Sequence, residues 1–207
     1  MSMIPAEPHH DRRALRLISG LSGIIGVILP TLMVFLALQQ SPWFQWNVNP
    51  LSDIGVHNAA PLFNGSLILG GSLFLIFALT LHSVLTKGRW SNAATICLSL
   101  GSISLILIGV FTLNDPILHV IFANGFFILP PIGFLLFGYG TQDTLFRRFS
   151  LLAGAAALLA IYLSPILLTS INLGFAIPEL LETIIMELWV LVLSIQLLRN
   201  HLPTMRT

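Results

Sequence analysis

The chain has 207 residues, of which 56% are hydrophobic and only 8% charged, with a formal net charge of +1. Soluble domains carry about 25% charged residues, so this composition cannot clothe a water-exposed surface, and a mean hydropathy of +0.92 agrees. Soluble enzyme, nucleic-acid binder and disordered protein are excluded; an integral membrane protein is expected, and the single cysteine, Cys97, excludes an internal disulfide framework and a multi-cysteine metal site.

Six apolar stretches are each long enough to cross a bilayer, which takes ~20 residues of helix. They run from about Ala14 to Leu38, Pro61 to Leu85, Asn92 to Leu113, His119 to Tyr139, Phe149 to Leu168 and Glu179 to Leu198. Their continuous apolar character is not that of alternating barrel strands. The first stretch starts among Arg12, Arg13 and Arg16 but is too long for a signal peptide, and Gln39-Gln40-Ser41-Pro42 closes it without a cleavage site. The expected fold is all-α: a polytopic membrane domain over 14–198, with six transmembrane helices in three hairpins. Short cytoplasmic tails, 1–13 and 199–207, carry His9, His10 and His201 and are expected to be mobile.

All nine Lys and Arg fall at one set of helix ends: Arg12, Arg13, Arg16, Lys87, Arg89, Arg147, Arg148, Arg199 and Arg206. The positive-inside rule then places both termini in the cytoplasm and turns the connections near 39–60, 114–118 and 169–178 outward. The first outward connection carries Trp43, Phe44 and Trp46, which suit the headgroup level and a loop running along the interface.

Within the helices, Gly20-x-x-Gly23-x-x-Gly26 has phosphate-loop spacing but no preceding strand, so it reads as close packing through small residues. Gly70-Gly71, Gly101, Gly133 with Gly138, and Ala153 with Ala157 read the same way. Pro30, Pro130-Pro131 and Pro165 are expected to bend their helices. Thr95, Ser99 and Ser102 form an inward hydroxyl stripe, and His82 near Lys87 and Arg89 reads as an interfacial histidine.

The acids divide unevenly. Glu7, Asp11 and Asp143 lie on the basic side, whereas Asp53, Asp115, Glu179 and Glu182 lie at the opposite helix ends with His57 and His119. Asp53-x3-His57 and Asp115-x3-His119 have i,i+4 spacing and Glu179-x2-Glu182 has i,i+3 spacing, so each pair would share one helix face. Asn64-Gly65 follows the first pair and Asn124-Gly125 the second, which suggests that the first two hairpins are divergent repeats; the third keeps only Asn172 and Glu179. One reading is a divalent-metal site, zinc first, with His57, His119, Asp53 and Asp115 as ligands and Glu179 or Glu182 as the base of a lipid hydrolase. Others are a proton or cation site, a bis-histidine haem, or simple helix capping and structural hydrogen bonding.

Glu187 lies eight residues past Glu179, hence about 12 Å deeper along a helix. An intramembrane carboxyl is costly and is a functional candidate. Its structural alternative is a neutral group donating a hydrogen bond to a neighbour such as Asn64 or Asn124.

Asn49-Pro50-Leu51-Ser52-Asp53-Ile54-Gly55, followed by Pro61-Leu62-Phe63-Asn64-Gly65, resembles the opening of a prokaryotic membrane family known as domain of unknown function 998. His119 with Asn124-Gly125, and Ile177-Pro178-Glu179 with Trp189, are compatible with its later helices. The resemblance implies six membrane helices and an inner-membrane location, and transfers no catalytic role. Three functions follow as expectations. The first is binding of a lipid headgroup, small molecule or cation in an outward pocket of Asp53, His57, Asn64, Asp115, His119, Asn124 and Glu179. The second is a metal-dependent hydrolase, with the catalytic group among Glu179, Glu182 and Glu187. The third is a proton- or cation-coupled transporter using Glu187. Membrane lipids are the expected partners.

Overall fold

The computed structural model describes residues 9–163 and 174–206. Six long helices account for the fold: α1 (His9–Gln39), α2 (Ala60–Val84), α3 (Arg89–Val110), α4 (Pro116–Gly140), α5 (Thr144–Tyr162) and α6 (Ala176–Leu198). All six are long and apolar enough to cross a membrane, so the chain is an integral multi-pass membrane protein. A 3-10 turn, Leu51–Val56, precedes α2. Among the described residues there is no strand, only an isolated bridge between Thr141 and Met205. Each helix packs on its sequence neighbours and α6 closes on α1, so the bundle is a ring in chain order.

Two helix starts, those of α4 and α5, follow capping chemistry more than hydropathy. Asp115 caps α4 by accepting from the Leu118 N–H, and Pro116 occupies the first turn, where its missing donor is harmless. Asp143 accepts from the Leu145 and Phe146 N–H groups. Helix α5 therefore begins five residues before the expected Phe149 and takes Arg147 and Arg148 inside it. Its expected end at Leu168, with Pro165 and Asn172, lies outside the described residues. Helix α3 stops at Val110 rather than Leu113, because the Phe111 carbonyl is taken by the ring of His119.

The prolines do not interrupt their helices: α1 is continuous through Pro30 and α4 through Pro130 and Pro131. The rings are accommodated by glycines opposite, Pro130 against Gly101 and Pro30 against Gly70. At Gly71 a β-carbon would stand 2.7 Å from the Ser102 carbonyl oxygen, so α2 and α3 approach to backbone contact there.

The two ends of the bundle differ. The end with the Lys and Arg residues, the basic end, holds the larger cluster of buried apolar residues. Trp189 stacks on Phe134 at 4.2 Å, meets Phe137 edge-on at 5.4 Å, and donates from Nε1 to Ser150 Oγ at 2.9 Å. The tail after α6 docks here: Gln142 N–H donates to the Thr204 carbonyl, Arg206 N–H donates to the Gly140 carbonyl, and Met205 is buried. His82 is half-buried and hydrogen-bonded to Thr95 of α3 at 3.0 Å, a partner its interfacial reading did not include.

At the opposite, acidic end, the 40–59 connection folds over the bundle. Ile54 and Ala59 are buried with Ala37 and Phe63, and Trp43, Phe44 and Leu51 pack around them. Trp46 is exposed.

Candidate functional site

A cavity of about 260 Å³ lies in the acidic half, enclosed by α1, α2, α3, α4 and α6 and roofed by Leu51 and Ser52 of the 3-10 turn. Its walls are mainly apolar: Val34, Phe63, Leu67, Phe74, Ile108, Phe126 and Phe127. Its polar lining consists of Thr31, Ser52, Ser66, His119, Glu179, Thr183 and Glu187. A smaller chamber of about 40 Å³ continues toward the basic end past Ser102 and Val190, and Glu187 and Thr183 line both.

The seam between α1 and α6 explains why the cavity exists. In the basic half the two helices touch closely: a β-carbon on Gly20 would stand 2.7 Å from Leu198, and one on Gly23 would stand 3.2 Å from Val190. Further along, α1 turns its small residues to α2 instead, Gly26 toward Leu73 and Phe74 at 3.1 Å. Pro30 likewise packs on Gly70 of α2. The seam is bridged at Thr31, whose hydroxyl donates to Glu187 Oε1 at 2.8 Å. Thr31 and Ile184 both line the cavity and are exposed, which makes the α1–α6 seam its candidate opening to the lipid-facing surface.

Glu179 sits where α6 begins. Its Oε2 accepts from the Leu51 N–H at 2.8 Å and so ties the 3-10 turn to α6. The turn is held twice more: Asn64 Nδ2 donates to the Gly55 carbonyl, and Asn49 Nδ2 donates to Asp53 Oδ2. His119 is buried, with Nδ1 2.9 Å from the Phe111 carbonyl oxygen. A carbonyl can only accept, so Nδ1 carries the proton and a neutral ring keeps Nε2 as an acceptor.

The expected site residues therefore divide. His119, Glu179 and Glu187 come to one cavity. Asp53, His57, Asn64, Asp115 and Asn124 do not line it. His57 is exposed, lies against Trp43 at 4.1 Å, and bonds the Asp53 carbonyl through Nδ1. Asp53 and His57 belong to a 3-10 turn and its cap, so they lack the α-helical face assumed for an i,i+4 pair. Asp115 is exposed at its cap, and Asn124 bonds the Val120 carbonyl and accepts from the Tyr162 hydroxyl. The repeat survives only as hairpin geometry: Gly65 faces α1 and Gly125 faces α3, while Asn64 and Asn124 do different work. Among the described residues, no three His, Cys, Asp or Glu side chains form a group able to hold a metal.

Glu182 departs from its expected pairing with Glu179. It is fully buried, does not line the cavity, and neither carboxyl oxygen has a hydrogen-bond partner among the described residues. Glu187 bonds Thr31 rather than Asn64 or Asn124. Thr31 and Thr183 were missed by sequence reasoning. Thr183 could have been found, because Glu179, Thr183 and Glu187 recur every four residues and form a polar stripe down one face of α6.

A search of curated proteins and a search of solved structures each returned no match. A family profile described as "Protein of unknown function (DUF998)" matches residues 24–196, from within α1 almost to the end of α6 and across the whole cavity. The chain belongs to the DUF998 family of proteins of unknown function.

Proposed function

We propose that this protein is a membrane-embedded binding protein that takes a small amphipathic molecule from the bilayer into the cavity of its acidic half. The observation that carries this reading is the shape and lining of the cavity: apolar walls, a few convergent polar groups, and a candidate opening at the α1–α6 seam. Ligand sites have this mixture of apolar surface and sparse orienting groups. A dry cavity of about 150 Å³ already holds a benzene ring, so 260 Å³ is room for a short apolar body and a head. With the basic end cytoplasmic, the cavity lies in the outer leaflet of a prokaryotic plasma membrane.

The test is a titration of octanol into the protein in lipid nanodiscs, with thermal unfolding as readout. Saturable stabilisation that is lost in Ala123→Trp, which fills the cavity, supports the reading. An equal shift in both proteins contradicts it.

Glu187 supports a second reading, a proton- or cation-coupled transporter. The carboxyl stands about 12 Å along α6 from Glu179 and lines both chambers. Cation-driven pH change inside proteoliposomes that vanishes in Glu187→Gln would favour it; flux unchanged in the variant would exclude it.

A further inference from the structure

The hydrogen-bonding capacity left over in the cavity is almost entirely that of acceptors. Of the lining hydroxyls, Thr31 donates to Glu187, Ser66 to the Phe63 carbonyl and Thr183 to the Glu179 carbonyl. His119 spends its Nδ1 proton on the Phe111 carbonyl. Among the described residues, what remains with the carboxyls ionised is the second oxygen of each and Nε2 of the histidine, with only the rim hydroxyl of Ser52 able to donate. Among the described residues, no Lys, Arg, Asn, Gln, Trp or Tyr lines the cavity. A carboxylate or phosphate head would meet like charge and few donors here. An ammonium offers three donors, no acceptor and the opposite charge.

We propose that the ligand of this cavity carries a protonated amine, with Glu187 as its counter-charge, an inference that rests on the binding reading above. Glu187 is favoured over Glu179 because the latter is committed to the backbone of the 3-10 turn. Among the described residues, the single internal donor to Glu187 is a neutral hydroxyl at the seam. An amine entering there meets the carboxyl directly, and its apolar body fills the wider chamber between Gly70, Ile108 and Phe126. The incoming charge supplies the compensation that an intramembrane carboxylate otherwise lacks.

The experiment compares octylamine, octanol and octanoate in nanodiscs containing the wild-type chain, with empty nanodiscs as the partition control. Octylamine is expected to bind about tenfold tighter than octanol, the scale of one charge-assisted contact, and octanoate weaker than either. In Glu187→Gln the preference for the amine over the alcohol is expected to vanish while octanol binding persists. Should that variant not fold, labelling of wild-type Glu187 by a hydrophobic carbodiimide, read by peptide mass spectrometry, is expected to slow with octylamine. Equal binding of amine and alcohol, or no protection, overturns the inference and leaves the binding reading standing. Failure of all three probes to bind saturably overturns both.

Discussion

Thr31 and Glu187 join α1 to α6 through a 2.8 Å hydrogen bond where those helices have ceased to pack through glycine. The bond lies at the mouth of the cavity, so its strength bears on stability and access together. Interhelical hydrogen bonds in membranes average about 0.6 kcal/mol. A double-mutant cycle of Thr31→Val and Glu187→Ala, measured by unfolding in nanodiscs, is expected to give a coupling near that size. Additive effects would show that the two side chains do not act as a pair.

Two neighbouring helix positions should respond oppositely to the same change. Gly71→Ala drives a β-carbon to 2.7 Å from a carbonyl oxygen of α3, whereas at Gly65 the nearest atom is the flexible Met33 Cε at 3.6 Å. Gly71→Ala is expected to cost about 1–3 kcal/mol as overpacking. Gly65→Ala should stay within about 0.5 kcal/mol of wild type and gain helix propensity. Thermal unfolding of the two variants side by side decides this.

The aromatic core at the basic end does not line the main cavity and meets only the smaller chamber, through Phe134. Trp189→Ala is expected to cost about 3–5 kcal/mol, as for large aromatic truncations elsewhere. Ser150→Ala removes only the acceptor of the indole N–H and is expected to cost about 1 kcal/mol. Octanol affinity should be unchanged in Ser150→Ala; a loss there would mean that core and cavity are coupled.

Asp115 is a cap, exposed and pointing at the start of α4. Asp115→Ala is expected to lose about 1 kcal/mol of stability with no change in cavity binding. Asp115→Asn should restore most of the loss, since Asn caps as well as Asp. A binding defect in either variant would assign Asp115 a role in the site.

Glu179→Gln is expected to loosen the roof, since it weakens the tie between α6 and the Leu51 N–H. Amide exchange over 51–56 should accelerate while exchange in the middle of α6 stays unchanged. Uniform exchange in both segments would contradict a latch at Glu179.

The number and order of the helices were legible from hydropathy alone, because a bilayer demands long apolar runs. Their ends were not, because caps such as Asp143 and the carbonyl clamp of His119 on Phe111 act outside the apolar run. The glycine pattern on α1 correctly indicated close packing, but two different partners share it: Gly20 serves α6, Gly23 meets both α6 and Phe77 of α2, and Gly26 serves α2. That division opens the cavity, and it depends on the three-dimensional course of α1. Of the candidate site, His119, Glu179 and Glu187 were identifiable as costly groups in an apolar chain. Asp53, His57 and Asp115 carried the same composition signal but are used in a turn and a cap. Spacing could not separate them, because the first pair is not on an α-helix.

The most direct measurement of ligand binding is the location of a bromine atom in crystals soaked with ω-bromo-octanol. Anomalous peaks are expected inside the acidic half, between Phe63, Gly70 and Ile108. Peaks confined to the lipid-facing surface, with the chamber between α1 and α6 unlabelled, would contradict a ligand site there.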